Sequence, residues 1–229
     1  MERMQYEVDG KVAQIRFDDG KANAMSVPFF AELGGLLDRA ESERVGALVF
    51  AGRPGMFSGG LDLNLLPTLS REGLRELSAT LARTMLRVFT FPIPTIAAMT
   101  GHAIAGGAVL VYACDRRYAI DGRFRLQLNE VAIGIPMPSW MAAIASAAIP
   151  PHLHVAALLH ARAYSPAEAA EHGILTGLIP EGGDVVRHAT DQAADLLALP
   201  RDAYAASKRR LRAAEVERVL SLLDGELAG

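Results

Sequence analysis

The sequence lacks the features that mark several classes of protein. It has one cysteine, Cys114, in 229 residues, so no internal disulfide can form and a reducing compartment is expected. Its 23 Lys and Arg residues do not outnumber its 26 Asp and Glu residues, and the formal net charge is −3. Binding to nucleic acid needs a basic excess, so we expect no nucleic-acid partner. The net charge does not exclude a small anionic ligand, because a few local Lys or Arg residues can bind one.

Long apolar runs are also missing. No stretch reaches the roughly 20 residues that a membrane-spanning helix needs, and Met1–Asp9 is charged and has no apolar core of the kind found in signal peptides. The histidines show no metal-binding spacing such as H-E-x-x-H. We therefore expect a cytoplasmic protein with no membrane partner and no metal ligands.

The apolar residues that are present predict an α/β core. Residues 4–17 alternate around Asp9-Gly10, which predicts a hairpin. Ser26, as a helix N-cap, begins a segment with helical periodicity. Gly46–Ala51 and Thr95–Met99 are short apolar runs, which are typical of strands buried on both faces. At 51% hydrophobic residues the chain can form one sizeable core.

The rest of the sequence is predicted to contain two more strands and to end in a helical region. A further long helix is indicated before the Phe91–Pro94 break, and the patterns of Arg117–Ile120 and Phe124–Leu128 indicate strands. Beyond Pro136 the pattern is almost wholly helical and rich in alanine. Strands early and helices late predict layered β and α elements followed by a helical C-terminal region.

Two glycine-rich turns, Gly52–Gly60 and Gly101–Gly107, follow the two buried strands. Glycine lets backbone N–H groups approach a ligand closely, and a following helix adds its positive N-terminal end. If the turns face each other, two N–H groups converge on one oxygen atom and form an oxyanion hole. Either turn alone is also explained as an ordinary tight turn.

Other glycine-loop and nucleophile motifs do not match. A P-loop needs Lys where Gly107 stands, and the G-x-G-x-x-G spacing of dinucleotide-binding proteins is absent from both turns. The serine elbow G-x-S-x-G is missed at Ser58, because Met56 occupies its first glycine position. These comparisons leave Ser58 as a turn residue.

Glu130 is the one charged residue in the nearly apolar segment Leu128–Pro136. Charged residues are rarely buried without a partner, so Glu130 either turns to solvent or is held inside for a function. In the second case desolvation raises the pKa of its carboxyl group, which suits a proton shuttle.

Taken in order, these segments resemble the crotonase superfamily, also called enoyl-CoA hydratase/isomerase, over essentially the whole chain. The fold implied is α/β, a crotonase-type ββα superhelix with a helical C-terminal region. The resemblance rests on Gly52–Leu63 (GRPGMFSGGLDL), Ile96–Asp115 (IAAMTGHAIAGGAVLVYACD), Leu128–Pro136 and Tyr164–Pro180 (YSPAEAAEHGILTGLIP).

The resemblance also implies roles for single residues. It makes the N–H groups of Gly59 and Gly106 the two oxyanion donors for a thioester carbonyl. Val109 stands where the hydratases carry their first catalytic glutamate, and Glu130 stands at the second. Adding water across a double bond uses both carboxylates, whereas moving a proton between two carbons needs one. The segments FSGGLDL, AGGAVLVYACD and LNE together resemble the monofunctional isomerases that convert 3-enoyl-CoA to 2-enoyl-CoA in fatty-acid or related metabolism.

The same resemblance implies contacts to the acyl-CoA substrate, and no cofactor beyond the coenzyme A that is part of that substrate. Coenzyme A is expected along the loops Lys21–Met25 and Asp62–Leu63. Lys208 is the first choice for a contact to a coenzyme A phosphate. Trp140 is expected to wall the acyl pocket. A solvated helix face for Lys208 and ordinary core packing for Trp140 stay open as alternatives. The predicted substrate-binding residues are Lys21, Ala22, Ala24, Asp62, Leu63, Trp140 and Lys208.

Family members form trimers or pairs of trimers, so a homotrimer or hexamer is expected. We assign residues 1–185 to the core with the active site and residues 186–229 to a C-terminal helical trimerisation region. The chain stops at Gly229, earlier than most members of the superfamily, and we expect abbreviated last helices. His102, at the mouth of the second turn, is expected to be a structural residue.

Three functions remain open at this point. An isomerase is the leading hypothesis. A hydratase or thioester hydrolase of the same superfamily would share the oxyanion hole and differ in its acyl pocket. A non-catalytic acyl-CoA-binding relative is the third.

Overall fold

The computed structural model describes residues 3–62 and 65–226. Within these ranges no helix is long and apolar enough to cross a membrane. The strands are β1 (Met4–Asp9), β2 (Val12–Phe17), β3 (Ala47–Ala51), β4 (Gly55–Ser58), β5 (Thr95–Met99), β6 (Gly101–Ile104), β7 (Arg116–Ile120), β8 (Leu126–Gln127) and β9 (Gly177–Ile179). The α-helices are α1 (Val27–Ser42), α2 (Arg71–Phe89), α3 (Gly106–Ala113), α4 (Ser139–Ala148), α5 (Pro166–Glu171), α6 (Val185–Leu196) and α7 (Arg201–Glu226).

The larger sheet has six strands in the order β1-β2-β3-β5-β7-β9. β1 and β2 form the predicted antiparallel hairpin, and every later neighbour in the sheet is parallel. All residues of β3 and β5 are buried, which confirms the interpretation of their continuous apolar runs. β9 was missed, because its three residues lie in a segment that the sequence predicts to be helical.

A smaller sheet of three parallel strands, β4-β6-β8, includes two segments that the sequence predicts to be turns, and its third strand lies inside the predicted strand Phe124–Leu128. β4 lies inside the predicted turn Gly52–Gly60, and β6 lies inside Gly101–Gly107. These two strands pair in parallel with Gly55 opposite Gly101, and a Cβ on Gly101 would stand 1.9 Å from the carbonyl carbon of Gly55. Each parallel strand from β3 to β7 is thus followed by a strand of the smaller sheet, which is the stacked ββα arrangement that was expected.

Helices cover both faces of the larger sheet. α3 is buried at every residue, and α2 and α4 pack against it in the main core. α6 packs on the other face through Val185, Ala189 and Ala193. Ser26 caps α1 by accepting a hydrogen bond from Phe29 N, as predicted. The trimerisation role of residues 186–229 stays a prediction.

A buried ionic cluster joins α7 to the end of α3. The Asp115 carboxylate accepts hydrogen bonds from Lys208 Nζ (2.7 Å) and from the N–H and hydroxyl groups of Thr95, and it forms an ion pair with Arg212 (2.9 Å). Lys208 Nζ also donates to Ile93 O (3.1 Å). The Lys208 side chain is 4% exposed and that of Asp115 13%, so water screens this pair little.

We expect Lys208→Met to lower the free energy of unfolding by roughly 3 kcal/mol, because removing one partner of a buried ion pair leaves the other charge uncompensated. Arg212 still faces Asp115, so the loss lies at the lower end of the range for such pairs. The measurement is urea denaturation. Arg209→Met, at an exposed position of the same helix, is the matched control. Equal losses for the two variants would contradict a stabilising role for the buried pair.

Candidate active site

The loop between β2 and α1 lies against the first glycine turn and is tied to it by three backbone hydrogen bonds. Gly59 N donates to Ala22 O (2.8 Å), Met25 N to Gly60 O (2.8 Å) and Asp62 N to Met25 O (3.1 Å). The prediction that Gly59 is an oxyanion donor is therefore wrong, because its N–H group already serves a carbonyl oxygen. Sequence analysis did not anticipate this pairing between the loop and the turn.

Leu61 supplies the free donor in this turn. It pairs with Met25 as an isolated parallel bridge, and in that pattern the residues on either side of Leu61, Gly60 and Asp62, make the hydrogen bonds to Met25. The N–H group of Leu61 consequently points away from the loop. Within the described ranges it has no hydrogen-bond acceptor. The alternation of N–H directions along a strand is the signal that could have identified Leu61.

The second glycine turn contacts the first one. Gly106 is the first residue of α3, whose first N–H groups have no acceptor within the helix. A Cβ on Gly60 would lie 3.0 Å from Gly106 N and 2.9 Å from Ile104 O, and Gly60 has a φ of +82°. Only glycine meets both conditions without strain. The structure therefore brings together the two turns that the sequence singles out.

The residue before Gly106 has an unusual backbone conformation. Ala105 has φ 49° and ψ −121°, a region that costs an alanine of order 1–3 kcal/mol. Its N–H group donates to Gln127 O (2.9 Å) and its carbonyl accepts from Val109 N (3.0 Å). These bonds hold the strained turn in place, so that Gly106 N starts the helix at the edge facing Gly60.

Two polar side chains, those of Asn23 and Ser58, join the first turn to the neighbouring loop by hydrogen bonds. Asn23 is 2% exposed, and its Nδ2 donates to Phe17 O, Met56 O and Phe57 O at 3.0 to 3.2 Å. The Ser58 hydroxyl group donates to Asn23 O (2.8 Å). Ser58 is thus a structural turn residue, as the sequence indicated. Asn23 is a supporting residue that sequence analysis did not identify.

Glu130 is buried, although its neighbours are not. Its exposure is 5%, whereas the apolar residues Val131, Ile133 and Ile135 are 40–48% exposed. One carboxylate oxygen, Oε2, has no hydrogen-bond partner in the described part of the chain. Burial raises the pKa of this carboxyl group, and the N–H groups of Asn129 and of Glu130 itself oppose that shift. Of the two interpretations left open by the sequence, the structure supports the buried one.

The segment that carries Glu130 lies beside the second glycine turn. Gln127, three residues before Glu130, accepts the hydrogen bond from Ala105 N. Glu130 also contributes to the raised pKa of Tyr112, for which burial is the main cause, so the carboxylate lies near α3. On that helix Val109 is completely buried among apolar residues. No acidic side chain from α3 joins Glu130, since the residues of this helix are all uncharged.

Most of the predicted coenzyme A contacts share one edge of the site. Lys21, Ala22 and Ala24 are in the loop that is bonded to the first turn, and Asp62 ends that turn. Lys21 is exposed, and Ala22, Ala24 and Asp62 are partly exposed. Leu63 lies outside the described residues. Coenzyme A binding along this edge stays a prediction.

Lys208 does not meet the requirements of a phosphate contact. Its ammonium group is held by Asp115, Ile93 O and Thr95 Oγ1, and the residue is 6% exposed. These three acceptors use all three of its N–H donors. Burial lowers its pKa and Asp115 acts against that shift. The predicted contact is therefore wrong, and so is the alternative of a solvated helix face.

Trp140 and His102 occupy structural surroundings. Trp140, on α4, is 4% exposed and packs in the main core, so core packing explains its burial and a wall for the acyl chain stays a prediction. His102 Nδ1 accepts a hydrogen bond from Arg125 N (3.1 Å), and its ring contacts the Phe124 ring edge to face. That contact agrees with the structural role expected of His102.

Comparison with known proteins defines the class. The fold, with its stacked ββα turns, is that of the crotonases. A solved structure of human mitochondrial delta3-delta2-enoyl-CoA isomerase matches 99% of this chain and 90% of its own, with a TM-score of 0.94 and 28% identity. An enoyl-CoA hydratase from Mycobacterium marinum matches 99% of both chains, with a TM-score of 0.92 and 30% identity.

The sequence comparisons agree. The family model for enoyl-CoA hydratase/isomerase matches residues 7–226. Human mitochondrial enoyl-CoA delta isomerase 1 is 28% identical over 219 residues, which are 94% of this chain and 72% of the relative. The chain belongs to the enoyl-CoA hydratase/isomerase family.

The buried carboxyl group gives a pH-dependent prediction. Because the pKa of Glu130 is raised in the folded protein, the folded state binds this proton more tightly than the unfolded state does. The contribution of Glu130 to stability is thus fully present below the unfolded pKa, near 4.5, and declines as the pH rises through the folded pKa. We expect the free energy of unfolding of Glu130→Gln, relative to that of the native protein, to increase as the pH rises from 4 to 8.

Urea denaturation at the two pH values measures this difference. Glu217→Gln, at an exposed position on α7, controls for the loss of one carboxylate. A stability difference for Glu130→Gln that does not change with pH would show that the Glu130 carboxyl is solvated in the folded protein.

Proposed function

We propose that this protein is an enoyl-CoA isomerase that moves the double bond of a 3-enoyl thioester to position 2. The observation that carries the proposal is the buried Glu130, with a carboxylate oxygen that has no partner in the described residues and with no second carboxylate on α3. One such group is enough for moving a proton between two carbon atoms.

In the proposed reaction, the Glu130 carboxylate removes a proton from C2 of the substrate. The electron pair of the C–H bond forms the C1–C2 double bond of a dienolate, and negative charge develops on the thioester oxygen. Glu130, now protonated, returns the proton to C4. The C3–C4 π electrons form the new C4–H bond, and the C1–C2 π electrons shift to give the C2–C3 double bond. The oxygen electron pair re-forms the thioester carbonyl, and the carboxylate is regenerated. The scheme needs proton transfer alone, and coenzyme A enters as part of the substrate.

Leu61 N and Gly106 N are the donors that we assign to the thioester oxygen. Both belong to turns that touch each other, and neither N–H group has an acceptor in the described residues. Gly106 adds the positive end of α3, and that helix is completely buried. Fixed donors in a dry environment stabilise a developing oxyanion more than water does, because they need no reorientation.

A hydratase is the second candidate, since an M. marinum enoyl-CoA hydratase has nearly the same fold. Hydration needs a water molecule to be held and activated, which the resemblance assigns to two carboxylates. The buried Val109 supplies no polar atom for that purpose. This difference in side-chain chemistry favours proton transfer over hydration.

We expect the native protein to isomerise 3-enoyl-CoA, to hydrate 2-enoyl-CoA poorly and to release no free coenzyme A from saturated acyl-CoA. Glu130→Gln should lose isomerisation by about 10²–10⁴-fold, because the amide keeps the shape but cannot take a proton. Affinity for a saturated acyl-CoA, measured by calorimetry, should stay near the native value. Glu217→Gln is the matched control.

The same assays separate the alternatives. Hydration faster than isomerisation would identify a hydratase, release of coenzyme A a hydrolase, and binding without turnover a non-catalytic relative. Full isomerase activity in folded Glu130→Gln would show that another group is the base.

A second pair of variants tests the donor role of Gly106. Gly106→Pro removes the N–H group at the first position of α3, and it should lower turnover by roughly 10²–10³-fold. Gly106→Ala keeps the N–H group and adds a Cβ whose nearest neighbour is the flexible Met25 side chain, at 2.9 Å. Equal activity of the two variants would contradict the assignment, provided that circular dichroism shows both to be folded.

A further inference from the structure

A cavity of about 230 Å³ lies at the end of the larger sheet opposite to the candidate active site. It is lined by Lys11 in the β1–β2 turn, by Gly46 just before β3 and by Pro94 just before β5. The glycine turns of the site follow the other ends of these strands. Five residues at about 3.3 Å each separate the two ends by roughly 16 Å. The cavity is therefore distinct from the candidate active site.

Three cationic side chains line this cavity, those of Lys11, Arg44 and Arg201. None of them forms a salt bridge in residues 3–62 and 65–226, whereas other cations of the chain, such as Arg39, do. No described Asp or Glu residue lines the cavity. In a chain with a net charge of −3, the cavity is thus a local concentration of uncompensated positive charge.

The Arg201 side chain is fixed by one hydrogen bond and has further N–H donors available for a ligand. It donates one hydrogen bond to Val45 O, and a guanidinium group has five N–H donors. Arg201 is also the first residue of α7, a helix of 26 residues. The positive end of this helix adds to the field of the three side chains, and Asp202, in its first turn but outside the cavity lining, reduces that contribution.

The remaining wall of the cavity is apolar. Leu196, Leu197 and Leu199, from the end of α6 and the connection to α7, line it together with Tyr204. Leu199 is 48% exposed. A ligand that matches this lining has an anionic end and a small apolar or flat body.

We propose that this cavity binds a small phosphate monoester, with the phosphate group against the three cations and its organic part against the leucines and Tyr204. Guanidinium groups match the geometry of phosphate oxygens through paired hydrogen bonds. The volume lies below the 300–1,000 Å³ that is usual for drug-sized ligands. The site is therefore suited to a ligand with one ring or a short chain.

The test uses phenyl phosphate as the probe and calorimetry on the full-length protein. We expect saturable binding with one site per chain, at least tenfold weaker in the double variant Lys11→Gln/Arg44→Gln. The control is Arg209→Gln/Arg210→Gln, which makes the same change in charge at exposed positions of α7 outside the cavity and should bind phenyl phosphate like the native protein.

Four results would overturn the proposal: no saturable binding to the native protein, equal weakening in the two double variants, displacement of the probe by a saturated acyl-CoA, or binding of inorganic phosphate as tight as that of phenyl phosphate. Absence of saturable binding would show that there is no site, and equal weakening in both double variants would show only general electrostatic attraction. Displacement by acyl-CoA would show that the probe binds in the acyl-CoA site. Equally tight binding of inorganic phosphate would show that the apolar wall contributes nothing. Because the variants lie outside the candidate active site, their isomerase activity is measured separately and does not decide this outcome.

Discussion

Parallel pairing between residues 22–25 and 59–62 determines which N–H groups can meet a ligand. Along an extended chain, successive N–H groups point in opposite directions. In the parallel bridge between Met25 and Leu61, Asp62 N donates to Met25 O, so Leu61 N points away from the neighbouring loop. A shift of one residue in this pairing would exchange the exposed donor for a bonded one. The arrangement proposed for the thioester oxygen depends on this register.

Several features protect that register. Asn23 adopts a left-handed backbone conformation, with φ 49°. Its side-chain Nδ2 donates to three carbonyl oxygens of β2 and β4. Ala105, on the second turn, is also strained. Local strain of this kind persists only where surrounding bonds over-determine the conformation. Here those bonds come from β2 and from the strands of the smaller sheet.

Much of the fold follows from local patterns in the sequence. The hairpin, the two buried strands and the capped start of α1 each depend on residues close in the chain, so periodicity and capping predict them. β4 and β6 could not be predicted in this way, because short glycine-containing segments become strands only through pairing with each other. β9 has three residues, too few for a periodicity to show.

The same distinction applies to the site. Glu130 and Gly106 stand out by their type and surroundings in the sequence. Leu61 does not, because what qualifies it is the direction of a backbone bond. Lys208 was misjudged for a related reason: its neighbours Arg209 and Arg210 suggest a basic helix face, and only the packing of α7 against Asp115 turns Lys208 inward.

This inward-facing ion pair also has a consequence for how the chain is made. Asp115 and Lys208 are 93 residues apart in sequence, so the end of α3 leaves the ribosome long before its partner does. Until then, the Asp115 carboxylate lacks both Lys208 and Arg212, and it avoids the cost of an unpaired buried charge only by staying hydrated. Contacts over such long separations form late, and domains with incomplete cores bind chaperones or aggregate. Completion of this ion pair therefore waits for α7, although every residue assigned to the proposed reaction precedes that helix in the chain.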